Sequence, residues 1–269
     1  MNSPHNTKPM TRPGSEDPKY DRRVLLAGAK RNAVLELWEV ERYGAGRNGD
    51  PDYVSIYGMR PAELYAKGVR LLGRTAVECT RDELADAIGK DLAGVALPAM
   101  PTARALVLDL FVGSGNTLYW ILRHLPGIRG VGFELDPTVF RLTARNLAIL
   151  ELPLEVANTD YRTGLADKAV AANQILITFI SPPWGDALSE ASGLDLRRTT
   201  PPVGEIVDFL ARRFGRNRLL CAIQVYERLD PASPDDLKAR FDWSRLEIYR
   251  LNAPGENHGV LLGTRGWTP

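Results

Sequence analysis

Ser181-Pro182-Pro183-Trp184 is the stretch of this chain whose residue types are best suited to chemistry. It follows the apolar run Gln174 to Ile180, which reads as a strand buried on both faces. Two successive prolines offer no backbone N–H, so strand pairing must stop there, and each holds the residue before it extended. What results is a stiff shelf at the carboxyl end of a strand. It carries one hydroxyl, the carbonyls of Ser181 and Pro182, and an indole face. Such a shelf could hold a planar, amine-bearing group flat and aim one nitrogen at a reagent. A strand followed by an ordinary proline turn would read alike, so the weight falls on what lies upstream.

There an apolar strand, Leu106-Val107-Leu108, runs through Asp109-Leu110-Phe111-Val112 into Gly113-Ser114-Gly115, and a helix opens at Asn116 or Thr117. Glycines let the backbone turn tightly and let a ligand approach. The amides of the turn and of the helix start present donors and positive dipole to whatever sits above them. A second apolar run, Gly130 to Phe133, ends in Glu134-Leu135-Asp136-Pro137. An acid about 20 positions beyond the glycines, at the end of the next strand, is the arrangement that holds ribose hydroxyls. The chain therefore reads as binding an adenosine-containing cofactor. A dinucleotide fold wants a third glycine behind a pyrophosphate, whereas Gly115 is followed by Asn116-Thr117-Leu118. Asp109 would repel a pyrophosphate and attract an ammonium group. S-adenosylmethionine carries an ammonium and no phosphate, which favours it and disfavours a nicotinamide oxidoreductase.

These residues need elements to position them, and the pattern supplies a β/α alternation from residue 104 onward. Strands are expected over 105–110, 129–134, 154–157, 174–180 and 218–225. Helices are expected over 116–124, from Pro137 to about 150, and near 162–170 and 203–214. The last two strands, 245–251 and 258–264, are joined through Ala253-Pro254-Gly255, a connection that forces an antiparallel pair. The fold class predicted is α/β and Rossmann-like: a mostly parallel seven-stranded sheet with an antiparallel terminal hairpin and an N-terminal helical extension. Residues 1–20, with four prolines, read as a disordered tail. Residues 21–100 read as the helical extension and 101–269 as the catalytic domain. Within the extension the spacing predicts an amphipathic helix over 21–43, a linker from Gly44 to Asp52, a short helix after Pro61, and a capping box Thr80-Arg81-Asp82-Glu83 opening a helix over 81–91.

Composition narrows the class. The 269 residues hold 34 Lys and Arg against 33 Asp and Glu, so no global field draws the chain to nucleic acid or membrane, though a local patch could. Two cysteines, Cys79 and Cys221, suit a reducing compartment and support no disulfide framework. The three histidines, His5, His124 and His258, lack ligand spacing, so no metal site is expected. No spanning apolar stretch or signal-peptide core is visible, which reads as a soluble cytoplasmic protein. Oligomeric state is not legible.

Taken together, Asp109, Gly113, Gly115, Glu134 and the Ser181-Pro182-Pro183-Trp184 shelf resemble the motif set of class I S-adenosylmethionine-dependent methyltransferases. Ile180-Ser181-Pro182-Pro183-Trp184-Gly185, followed by Leu194-Asp195-Leu196-Arg197, is similar to the trimethylguanosine synthase family of RNA-cap guanine-N2 methyltransferases. The likeness spans about 68–265. It implies that Asp109, Phe111, Gly113, Ser114, Gly115, Asn116 and Thr117 form the first cofactor motif, with Glu134 and Asp136 in the ribose segment. It further implies Asp160, in Asn158-Thr159-Asp160-Tyr161, near the adenine amino group and Thr80 near the methionine end. The family stacks its base between two tryptophans, and this chain has Ala76 where the second would align. Tyr57, Tyr65 and Trp38 are the aromatic candidates to replace it. Arg197-Arg198 and Arg60 are the candidate phosphate contacts.

The expected reaction is an in-line methyl transfer from a sulfonium. Ser181 and the Pro182 carbonyl would accept N–H bonds from an exocyclic amine, Pro183 and Trp184 would fix the ring plane, and no histidine is placed as a base. The acceptor class stays open between a guanine-like base, nucleotide or RNA and a small aromatic or heterocyclic metabolite. A non-catalytic, cofactor-binding partner subunit is the alternative from another class.

Overall fold

The β/α alternation folds around a seven-stranded sheet, and the sheet's carboxyl edge gathers the glycine turn, the Glu134 segment and the proline shelf. The computed structural model of the protein describes residues 22–269 apart from 101–103, 167, 172, 190 and 252–256. The tail over 1–20 and the Ala253-Pro254-Gly255 connection lie outside the described residues. From the sheet onward the elements are β1 (Arg104–Asp109), α6 (Asn116–His124), β2 (Arg129–Glu134), α7 (Pro137–Ile149), β3 (Glu155–Asn158), α8 (Tyr161–Ala166) and β4 (Gln174–Ile180). There follow β5 (Leu188–Ser189), β6 (Gly193–Leu194), α9 (Val203–Phe214), β7 (Arg218–Tyr226), α10 (Ala232–Lys238), β8 (Trp243–Tyr249) and β9 (His258–Arg265).

The seven-stranded sheet has the order β3-β2-β1-β4-β7-β9-β8. Its first five strands run parallel, and β9 inserts antiparallel between β7 and β8. Alternate residues of β1 serve opposite faces: Leu106 and Leu108 join one apolar cluster, Ala105 and Val107 the other. That two-sided burial explains why the parallel strands read as continuous apolar runs. β5 and β6 form a separate two-stranded hairpin after the shelf, and α10 was not foreseen from sequence either.

The N-terminal segment contains α1 (Arg22–Ala27), α2 (Leu37–Asn48), α3 (Pro61–Ala66), α4 (Gly73–Glu78) and α5 (Asp82–Ala96). The single helix expected over 21–43 is therefore two helices with an extended link. The Leu35 N–H donates to the Leu71 carbonyl at 2.8 Å and the Gly73 N–H to the Ala33 carbonyl at 3.1 Å. Val34 forms a β-bridge with Leu72. Tertiary backbone pairing thus outcompetes the 3.6-residue periodicity. The expected linker from Gly44 is also partly helical, since α2 continues to Asn48 and Gly49 ends it at φ 71°. α5 buries Leu84, Ile88, Leu92 and Val95 on one stripe, with Asp82 and Glu83 in its first turn. Its N-cap is Arg81 without a side-chain cap, so the capping box at Thr80 does not form. Among the described residues, no helix is long and apolar enough to cross a membrane.

Candidate active site

Both halves of the anticipated site sit at one edge because of strand register. Asp109, the last residue of β1, pairs with Phe179 of β4, and the Leu110 N–H donates to the Phe179 carbonyl at 3.2 Å. Ser181 therefore leaves the sheet beside the glycine turn. The prolines do what their chemistry requires: β4 stops at Ile180, Pro182 is buried and Pro183 is exposed.

The turn is held from several sides. The Val112 N–H donates to the Phe133 carbonyl at 2.9 Å, and the Thr143 hydroxyl of α7 donates to the Gly113 carbonyl at 2.7 Å. Gly113 and Gly115 have φ of 50° and 80°, a region that disfavours side chains. A Cβ on Gly113 would come no closer than 3.9 Å to any neighbour, so its front side is open. Two carboxyls flank that opening. Asp109 is 1% exposed and accepts one bond, from the Phe111 N–H at 3.2 Å. Burial lifts its pKa to about 7, opposed by that amide and assisted by the nearby Glu134 charge. Burial also raises Glu134, whose two oxygens accept the Asp136 N–H at 2.8 Å and the Gly113 N–H at 3.1 Å. Asn158 fixes the acid further by donating to the Glu134 carbonyl at 2.8 Å. Beside it Leu135 is 69% exposed, an apolar side chain standing free at the rim.

A continuous hydrogen-bonded chain joins the shelf to the turn. The Ser181 hydroxyl donates to Gln224 Oε1 at 3.2 Å, and the Thr80 hydroxyl donates to the same oxygen at 2.8 Å. Asn116 Nδ2 donates to the Thr80 carbonyl at 2.8 Å, and the Asn116 N–H donates to Ser114 Oγ at 3.3 Å. Asn116 Oδ1 accepts the Tyr57 N–H at 2.7 Å, while the Tyr57 hydroxyl donates to the Ser114 carbonyl. Thr80, Ser114 and Asn116 thus meet at this edge, and Thr117 is buried in the first turn of α6. Phe111 packs its ring 5.5 Å from that of Tyr161. Asp160 lies just past β3, where its Oδ1 accepts the Arg162 N–H at 2.7 Å. Asp136 has structural employment: Oδ1 caps α7 by accepting the Thr138 N–H at 2.8 Å, and Oδ2 pairs with Arg74 at 2.9 Å.

Four residues at this edge have roles that no sequence signal assigns. Gln224 is one, because only the β4–β7 register brings it level with Ser181. Tyr57 is another, held at φ 57° in a loop far away in sequence. Tyr226 and His258 complete the set. The imidazole of His258 stacks on Trp184 with centroids 5.5 Å apart and planes 18° from parallel, and Tyr226 meets both rings edge-on. The antiparallel register pairing Tyr226 with His258 delivers this imidazole to the shelf, where it stacks on the indole. Trp184 is half-buried, and its indole N–H is enclosed without a hydrogen-bond partner among the described residues.

The aromatic substitutes considered earlier do different work. The Tyr65 hydroxyl donates to the Leu35 carbonyl at 2.9 Å, and Tyr57 belongs to the turn. Of the candidate phosphate contacts, Arg198 is exposed, whereas Arg197 and Arg60 face carboxylates. Arg197 forks onto Asp195 at 2.8 and 2.9 Å and reaches Asp230 at 2.9 Å, while Arg60 lies 3.4 Å from Asp52.

No protein-family model matches the chain. A segment of 88 residues is 26% identical to the ribosomal RNA small subunit methyltransferase H of Prochlorococcus marinus (strain NATL2A), covering 29% of this chain and 29% of that relative. Similar solved structures include the N-terminal domain of human METTL16 in complex with SAH, at 14% identity and a TM-score of 0.45 over 65% of this chain and 66% of that one. The precorrin-6y C5,15-methyltransferase of Geobacter metallireducens GS-15 matches at 13% identity and a TM-score of 0.47, over 70% and 92% of the two chains. Likeness of this degree carries no argument by itself. Strand order defines the architecture: five parallel strands followed by an inserted antiparallel strand. The fold is the Rossmann-like methyltransferase fold.

Proposed function

We propose that the protein is an S-adenosylmethionine-dependent methyltransferase acting on a nitrogen, an exocyclic amine, of a planar guanine-like base, nucleotide or RNA. One observation carries this reading: the hydrogen-bonded chain from Ser181 through Gln224 and Thr80 to Asn116, which fixes the shelf relative to the open glycine turn. The residues around the turn fit the cofactor. Asp109 is a buried carboxyl with no cation partner among the described residues and would gain one in the donor's ammonium. Each Glu134 oxygen keeps a lone-pair direction for a ribose hydroxyl, and Leu135 offers an apolar rest for adenine. When bound, S-adenosylmethionine supplies an electrophilic methyl on a sulfonium.

This chain's residues then have positioning work. Because Ser181 spends its proton on Gln224, its oxygen faces the shelf as an acceptor for an amine N–H. The Pro182 carbonyl is the second acceptor on the shelf. Two such bonds localise the amine lone pair and point it along one direction. Trp184, braced by His258, sets the plane of the acceptor ring. The methylated nitrogen gives up its proton to water after the methyl arrives, so a strong base is unnecessary.

A compact acceptor is the second reading, favoured by two observations. Arg197 and Arg60 are engaged with carboxylates, and His258 already covers part of the indole face. Transfer of tritiated methyl into fractionated RNA, free nucleotides and small metabolites separates the two. We expect label on an amine nitrogen with wild-type protein, and its loss in Trp184→Ala with donor affinity retained. Calorimetry detecting no donor binding would end the cofactor assignment; label on oxygen or carbon would end the amine assignment.

A further inference from the structure

At the opposite end of the sheet, where β4 and β7 begin, a cavity of about 460 Å³ opens between the loop after α8 and the end of α9. Lys168, Arg212, Arg213 and Arg216 line it, and among the described residues no carboxylate does. Arg213 is consumed by the fold: its guanidinium donates to the carbonyls of Leu165, Ala166 and Lys168 at 3.2, 2.9 and 3.0 Å. Lys168, Arg212 and Arg216 pair with no described acid, and both arginines are exposed at the rim. The carboxyl end of α9 accounts for basic residues at 212 and 213, because cations suit that pole of a helix. It accounts neither for Lys168, which comes from another loop, nor for the concave wall.

In a chain of formal net charge +1, this is a local concentration of one sign. A concave surface lined by one sign of charge focuses the field and attracts the opposite ion. Arginine pairs with planar oxyanions through a two-pronged fork, and lysine adds a point charge. From these observations we infer that the cavity binds phosphate groups, carried either by a nucleic-acid backbone or by a free phosphate compound. The seven residues of β4 separate it from Ser181 by about 23 Å, so it is distinct from the donor site. The inference stands whether or not the chain transfers methyl groups.

The test uses the full chain and two probes, a labelled 20-nucleotide single-stranded RNA and inorganic pyrophosphate. The triple variant Lys168→Ala/Arg212→Ala/Arg216→Ala is compared with Lys67→Ala/Lys90→Ala/Arg141→Ala, which removes equal charge from exposed sites elsewhere. Single Arg216→Glu serves if the triple variant misfolds by circular dichroism. A nucleic-acid ligand gives at least tenfold weaker RNA binding in the cavity variant. Its salt slope then falls by about 2, at about 0.7 for each of three single-strand phosphate contacts, while the control keeps its slope. A free phosphate ligand gives pyrophosphate heats that vanish only in the cavity variant, with RNA binding unchanged. Equal behaviour of the two triple variants with both probes overturns the inference, as does wild-type protein that binds neither.

Discussion

Asp109 is where stability and binding pull against each other. Its carboxyl titrates near 7 in the fold against 3.8 when free, so between those values the native state holds a proton that the unfolded chain has lost. By linkage, stability contributed by this residue is present at low pH and falls as pH rises toward 7, by up to a few kcal/mol. Asp109→Asn should therefore melt higher than wild type at pH 8, with the gap closing near pH 4, and should lose donor binding. Scanning calorimetry at both pH values reads the first effect and titration calorimetry the second. A variant that melts lower at pH 8 would contradict the burial argument. Donor affinity for the wild type should likewise strengthen as pH rises through 7, because only the ionised carboxyl attracts an ammonium. Tyr57→Phe is a milder change. It removes the hydroxyl that holds the Ser114 carbonyl, at a cost of about 1 kcal/mol. That corresponds to a fall of about 2–4 °C in melting temperature.

At the scale of elements, the tightest coupling runs between β2 and the glycine turn. A Cβ on Gly132 would sit 2.4 Å from Val112 Cγ2, and Val112 immediately precedes Gly113. Gly132→Ala must displace the turn to relieve that contact, so donor affinity should drop at least tenfold while the far-UV circular dichroism spectrum stays unchanged. Unaltered affinity would mean the turn tolerates a shift of its root. Elements with strong local signals were legible beforehand. β4 and α9 occur over the ranges expected, because continuous apolar runs and a 3.6-residue stripe leave little choice of partner. The N-terminal helix over 21–43 was misread because its apolar residues serve different neighbours. Leu25, Leu35 and Val40 are buried while Val34 and Trp38 face outward, a division set by the strand-like link to 71–73. Thr80 shows the same principle on a smaller scale. Its hydroxyl had a local option as a helix cap and took a distant partner, Gln224.

Across the whole molecule, the N-terminal segment closes over the turn through several separate bonds. Besides Tyr57, the Gly58 N–H donates to Asp82 Oδ2 at 2.9 Å, and Trp120 Nε1 of α6 donates to the other oxygen at 2.6 Å. Deleting residues 1–60 should therefore lower the melting temperature and abolish donor binding, measured on the purified remainder. Full affinity in the shortened chain would assign residues 22–60 a different role. Motifs carried by adjacent residues, such as the glycine turn and the proline shelf, could be read from the chain because local backbone chemistry dictates them. Gln224, His258 and Tyr226 could not, since their importance depends on which strands lie side by side.

The bifurcated amide oxygen of Gln224 has a consequence for selectivity. With both neighbouring hydroxyl protons committed inward, the mouth of the shelf shows lone pairs alone. A ring bearing only carbonyl or ether oxygens would meet repulsion there, whereas one with an N–H would be welcomed. Inverting that amide, as Gln224→Lys would do by offering donors instead, should reverse the preference.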